Sequence, residues 1–321
     1  MPLKHQGSIH LFQIAGIDVY LHWSWFIIAV IEIGYLRIRY SSWVWCVLEY
    51  LTLFLIVLLH EFGHALACRQ VGGKADQIML WPLGGVAFVD PPQRPGAMLW
   101  SIAAGPLVNV ALLVPLGGAY WLATQGWPAQ STDAHTWVTW VFWIDLGLLI
   151  FNILPIYPLD GGQILRSLLW FVLGRGRSLQ VSTVIGFIGA GAFICFAIFK
   201  SPTSTWLLAI AAYMLLNCWN GWKVARLLIR VEKMPRREGF ACPNCGSKPA
   251  VGPHWRCAQC QKSFDTFDSG AVCPWCNAQF SNTMCIDCQK TSPMREWMAA
   301  GAHHEASLPG GGTLVHQQPV G

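Results

Sequence analysis

Six long runs of apolar residues constrain this chain more than any other feature of its sequence. They lie at about residues 20–36, 43–68, 97–123, 137–157, 183–199 and 204–222. A helix that spans a bilayer needs roughly 20 mostly apolar residues, and each run approaches that length. One such run would also suit the buried helix of a water-soluble core; six in one chain would not. Charged residues make up only 12% of the sequence, about half the share of a soluble domain. The expected fold class is therefore a polytopic α-helical membrane protein with about six transmembrane helices. Its 18 Trp suit the two membrane–water interfaces.

Two segments outside these runs read as strands. Residues 1–20 alternate polar and apolar, which suits a strand near the membrane surface over 8–20 better than a signal peptide. Residues 74–90 place two short apolar runs around Pro82-Leu83-Gly84-Gly85, a tight-turn signal. A membrane-associated β-hairpin is expected there, tolerable at that depth only where it lines a cavity or packs on protein.

The loops set the orientation. With six spans and the N-terminus inside, thirteen Lys and Arg fall on the cytoplasmic side, from Lys4 through Arg69 and Arg166 to the run ending at Arg237. Only Arg37, Arg39 and Lys200 fall outside. That bias follows the positive-inside rule and predicts cytoplasmic N- and C-termini, with a bacterial plasma membrane the preferred location.

Composition changes after Arg237. Three regions are expected: a membrane-embedded domain over 1–238, a Cys-rich module over 239–292 and a disordered tail over 293–321. The module holds four CxxC pairs, Cys242/Cys245, Cys257/Cys260, Cys273/Cys276 and Cys285/Cys288. Each pair can give two thiolates to one tetrahedral zinc, so two structural zinc ions are expected in a double zinc ribbon. Pairing of neighbouring knuckles is the simplest arrangement, although spacing does not fix it. About fifty residues build little core, so zinc would supply the folding energy. Four basic residues (Lys248, Arg256, Lys262, Lys290) balance three acidic ones (Asp265, Asp268, Asp287), which argues against nucleic acid. A cytoplasmic protein partner or a passive appendage remain as roles.

The chemistry-bearing motif is His60-Glu61-Phe62-Gly63-His64, at the cytoplasmic end of the second run. On a helix, positions i and i+4 share a face, so both imidazoles can grip one ion. Glu61 stands beside them as a general base for water. Three polar side chains in an apolar helix are costly unless they have a function. A catalytic zinc takes three protein ligands and keeps one position open. Asn152-Ile153-Leu154-Pro155-Ile156-Tyr157-Pro158-Leu159-Asp160-Gly161-Gly162 offers the third ligand in Asp160. The competing reading is that Asp160 only caps the helix that begins near 161.

These two motifs, about a hundred residues apart, resemble the site-2 protease family of intramembrane metalloproteases. Ala103-Ala104-Gly105-Pro106-Leu107-Val108-Asn109 is similar to that family's small-residue segment in its third span, and Leu80–Ala87 to its membrane-embedded hairpin. The resemblance covers about residues 8–225. It implies one catalytic zinc held by His60, His64 and Asp160, base function for Glu61, and cleavage of transmembrane protein substrates within the lipid bilayer. By position it makes Asn109 and Asn152 candidates for oxyanion or substrate contact; bridging between helices is the equal alternative. Asp145, seven residues before Asn152, shares its helix face and reads either as functional or as a packing contact. His22, beside Trp23 at an interface, reads as structural. A non-catalytic zinc-binding scaffold is the main alternative function; it would have no need of Glu61.

Overall fold

Helix length sorts the apolar runs. The computed structural model describes residues 7–81, 84–126, 132–200, 205–297 and 318–319. In the first of two compact units, Met1–Ala225, the helices are α1 (Ser24–Leu36), α2 (Trp43–Gln70), α3 (Pro95–Gly126), α4 (Asp133–Ile153), α5 (Asp160–Leu173) and α6 (Arg175–Lys200), followed by α7 (Thr205–Glu232), which carries the chain into the second. Four of them, α2, α3, α4 and α6, are long and apolar enough to cross a membrane. The expectation of about six spans is thus met for four. α1 has 13 residues, about 20 Å of helix, too short for a hydrocarbon core of about 30 Å. α7 is long enough, but Asn217, Asn220, Lys223, Arg226 and Arg230 interrupt its apolar character. Large apolar side chains such as Val114, Leu122 and Ile188 stand exposed on α3 and α6, a surface suited to lipid tails.

The strands form one four-stranded sheet in the order β1-β2-β3-β4. β1 (Ser8–Ile14) and β2 (Ile17–His22) pair antiparallel. The single strand expected over 8–20 is therefore a hairpin. It turns at Ala15 and Gly16, both with positive φ, a conformation that a primed hairpin turn requires. β3 (Lys74–Trp81) pairs parallel with β2 and antiparallel with β4 (Gly84–Asp90). The expected turn at Pro82 and Leu83 lies outside the described residues. Ile17, Val19 and Leu21 of β2, together with Ile78 and Leu80 of β3, pack on Trp25, Leu58, Ala65 and Cys68. This core seats the sheet against the second half of α2, where the His-Glu motif lies. Arg69 fastens that end of α2 by donating to the Ala75 carbonyl at 2.9 Å and the Gly16 carbonyl at 2.7 Å.

The second unit, Arg226–Gly321, is built around the eight knuckle cysteines. Its strands are β5 (Trp255–Arg256), β6 (Ser263–Phe264), β7 (Asn282–Met284), β8 (Thr291–Pro293) and β9 (Gln318–Pro319). The knuckles pair in a nested order, which corrects the expected pairing of neighbours. Cys242, Cys245, Cys285 and Cys288 form one cluster; Cys257, Cys260, Cys273 and Cys276 form the other. The physical cause is the aromatic core. Trp255, Phe267 and Trp297 pack with Cys242 and Cys285, whereas Phe264 and Phe280 pack with Cys257 and Cys273. Sulfur pairs stand 3.5–3.8 Å apart, close to the edge of about 3.8 Å that a tetrahedron with zinc–sulfur bonds of about 2.3 Å requires. Burial opposes ionisation of the Cys257 thiol, but hydrogen bonds from the backbone N–H groups of Cys260 and Gln259, together with those from the Cys276 and Cys260 thiols, bring it down to about 7.

The expected limits of 239 and 292 both fall inside this unit. Arg236 bridges to Ala250, and Arg237 N–H donates to the Pro249 carbonyl. Arg236 also donates to both oxygens of Asp287, at 2.6 and 3.0 Å, within the last knuckle. At the other end Trp297 is fully buried, and its carbonyl accepts from Ala241 N–H. Most of the expected disordered tail lies outside the described residues.

Candidate metal centre

One turn of α2 separates His60 from His64, so their rings meet edge to face with centroids 4.7 Å apart. Small residues let α3 approach this face. A Cβ on Gly63 would stand 2.7 Å from the Ala104 carbonyl oxygen, and one on Gly105 would stand 2.2 Å from His64 Nε2 and 2.8 Å from His60 Nε2. Gly105 therefore keeps open the space in front of both ring nitrogens.

The third group arrives from α5. The chain leaves α4 at Ile153 and re-enters helix at Asp160. The return is too tight for side chains after Asp160: a Cβ on Gly161 would lie 2.2 Å from the Ile153 carbonyl oxygen, and one on Gly162 2.4 Å from Tyr157 N. Leu159 is the N-cap, and no side chain caps α5. The Asp160 carboxylate is turned instead onto the imidazoles, with Oδ2 at 3.0 Å from His60 Nε2 and 3.4 Å from His64 Nε2. The two Nε2 atoms are 3.1 Å apart.

The proton inventory of this cluster fits a cation. His64 Nδ1 stands 2.9 Å from the Ser101 carbonyl, which can only accept, so the ring donates from Nδ1. His60 Nδ1 donates to Asn109 Oδ1 at 2.6 Å. A neutral imidazole has one N–H, so both Nε2 atoms present lone pairs. Two lone pairs and a carboxylate oxygen then converge with no donor between them. Such a set is satisfied by a metal ion, and imidazole with carboxylate suits zinc.

All three groups line one cavity of about 580 Å³. Glu61 lines it too and is only 6% exposed. Asn152 lies on the wall, with Tyr157 and, from α7, Asn217. Tyr157 and Asn217 were not singled out from the sequence; no local pattern marks them, because only the packing of α7 brings Asn217 to the cavity. Asn109 also borders the cavity, yet both its polar ends are engaged: its oxygen by His60, and Nδ2 as donor to Asp145 Oδ1 at 2.7 Å. Asn109 and Asp145 are fully buried. His22 lies apart, stacked on Trp81 at 4.4 Å.

Residues 49–197 match the family model of Peptidase family M50. Among curated proteins, Zinc metalloprotease MJ0392 of Methanocaldococcus jannaschii is 35% identical over 182 residues, 56% of this chain and 50% of that protein. Putative zinc metalloprotease Rip3 of Mycobacterium tuberculosis is 30% identical over 203 residues, 59% of this chain and 49% of that protein. Stage IV sporulation protein FB of Bacillus subtilis is 31% identical over 168 residues, 50% of this chain and 54% of that protein. The matched stretch thus spans about half the length of these three relatives. Among solved structures, Site-2 Protease from Methanocaldococcus jannaschii aligns at 29% identity with a TM-score of 0.49, covering 67% of this chain and 95% of that one.

Proposed function

We propose that this chain, whose residues 49–197 match the family model of Peptidase family M50, is an intramembrane zinc metalloendopeptidase of the site-2 protease kind. It hydrolyses peptide bonds in or near the transmembrane segments of membrane-protein substrates. The observation that carries this reading is the convergence of His60, His64 and Asp160 beside Glu61 in one cavity among apolar helices.

His60, His64 and Asp160 would hold the catalytic zinc. Zinc, when bound, supplies a Lewis acid for the attacking water and the scissile carbonyl. Glu61 takes the proton from the attacking water and passes it to the leaving amide nitrogen. Asn152, on the cavity wall, is the candidate donor to the developing oxyanion. Asn109 is left out of that role, since its oxygen and one amide hydrogen are spent on His60 and Asp145. A substrate helix hides its peptide bonds within its own hydrogen bonds, so it unwinds locally before attack. The two cysteine clusters would hold one structural zinc each, and the ribbon module would dock a cytoplasmic protein partner. Both termini are assigned to the cytoplasm of a bacterial plasma membrane.

The test is cleavage by the full chain in proteoliposomes carrying a panel of single-span proteins. The parent should release fragments cut within the apolar segment. Glu61→Gln should lower that rate by about 10²–10⁴ and keep its zinc. Equal cleavage by parent and variant would remove Glu61 from the base role. Intact substrates with a zinc-loaded parent would favour the non-catalytic scaffold.

A further inference from the structure

The buried chain behind His60 has a member that the proteolytic mechanism does not use. Asp145 lies midway along α4 and is 0% exposed. Its Oδ1 accepts from Asn109 Nδ2 at 2.7 Å, and Asn109 Oδ1 accepts from His60 Nδ1 at 2.6 Å. Its Oδ2 has no hydrogen-bond partner among the described residues. A carboxylate with one satisfied oxygen is an expensive way to hold an amide. A neutral acceptor would fix two helices together at less cost. What a carboxylate adds is direction and charge.

Resting on the zinc-protease reading, we propose that Asp145 is a positioning residue for the metal site, acting on His60 through Asn109. An Asn amide can present either end to a neighbour. An ionised carboxylate accepts only, so Asp145 forces the NH₂ end of Asn109 toward itself and the oxygen toward His60. That oxygen holds the His60 proton on Nδ1 and leaves the Nε2 lone pair facing His64 and Asp160. The carboxylate charge, carried through a polarised and buried amide, makes His60 a stronger donor to the metal. The relay crosses three helices, α4, α3 and α2, and each link is buried. It gives His60 an outer partner equivalent to the Ser101 carbonyl behind His64.

The test measures zinc affinity of the full-length detergent-purified chain by chelator competition. The zinc class absent from His64→Ala is the catalytic one; the ribbon sites remain as an internal reference. Asp145→Asn keeps an acceptor for Asn109 but removes both charge and direction. It should weaken the His64-dependent class by about tenfold. The exchange Asn109→Asp with Asp145→Asn puts a carboxylate directly on His60 Nδ1–H, with the introduced amide at 145 donating to it. It should return affinity to within about twofold of the parent. A packing role alone would move the melting midpoint and not this class. Parental affinity in Asp145→Asn, or an exchange that binds as weakly as the single variant, would overturn the inference while leaving the protease reading intact. A parent without any His64-dependent zinc would overturn both.

Discussion

Replacing Gly105 by alanine places one methyl group against the metal site and tests the site by steric means alone. Its Cβ would stand 2.2 Å from His64 Nε2, 2.4 Å from His64 Cε1 and 2.8 Å from His60 Nε2. Ordinary contact begins at 3.4 Å, so the nearest nitrogen must retreat by about 1.2 Å or α3 must back away from α2 by a similar amount. Ligand positions in a zinc site tolerate about 0.2 Å. The overpacking should cost about 1–3 kcal/mol, too little to unfold the helix bundle. Gly105→Ala should thus remain folded, lose the His64-dependent zinc and lose cleavage. Gly118→Ala on the same helix is the control, because nothing lies within 4 Å of its Cβ. That variant should keep zinc and activity. Metal analysis, a melting curve and the proteoliposome assay read all three quantities. A folded Gly105→Ala that keeps parental zinc and cleavage would refute the assignment of the ion to the space before these two nitrogens.

Two further outcomes follow from the same geometry. Gly161→Ala should shift Asp160 off the imidazoles, since its Cβ would meet the Ile153 carbonyl at 2.2 Å; chelator competition should then show the His64-dependent zinc weakened by about tenfold or more. Nested pairing in the ribbon is checked by zinc counting in double variants. Cys242→Ser with Cys285→Ser should lose one ribbon zinc, whereas Cys242→Ser with Cys257→Ser should lose both; the reverse pattern would restore pairing of neighbours.

The sequence revealed the parts of this protein that depend on local spacing. His60 and His64 share a helix face because they are four apart, and Asp160 stood out because a Pro-broken stretch and two glycines surround it. The seven-residue interval also put Asp145 and Asn152 on one face of α4, but it did not reveal that Asp145 meets Asn109, a contact made across helices. The parallel pairing of β2 with β3 was hidden for a similar reason: α1 and α2 intervene, and no turn signal links the strands. Four CxxC knuckles of the same spacing carry no label for their partners, so the nested arrangement appears only once Trp255, Phe267 and Trp297 form their core. The apolar run 20–36 read as a span because it approaches the needed length, but β2 takes its first residues and the 13 residues left to α1 fall short.

The central claim is that His60, His64 and Asp160 jointly hold a metal ion distinct from those of the cysteine clusters. Zinc per chain in the full-length, detergent-purified protein, measured beside His64→Ala and Asp160→Ala, tests it most directly. About three zinc ions in the parent and about two in each folded variant are expected. Equal zinc in all three proteins would contradict the claim.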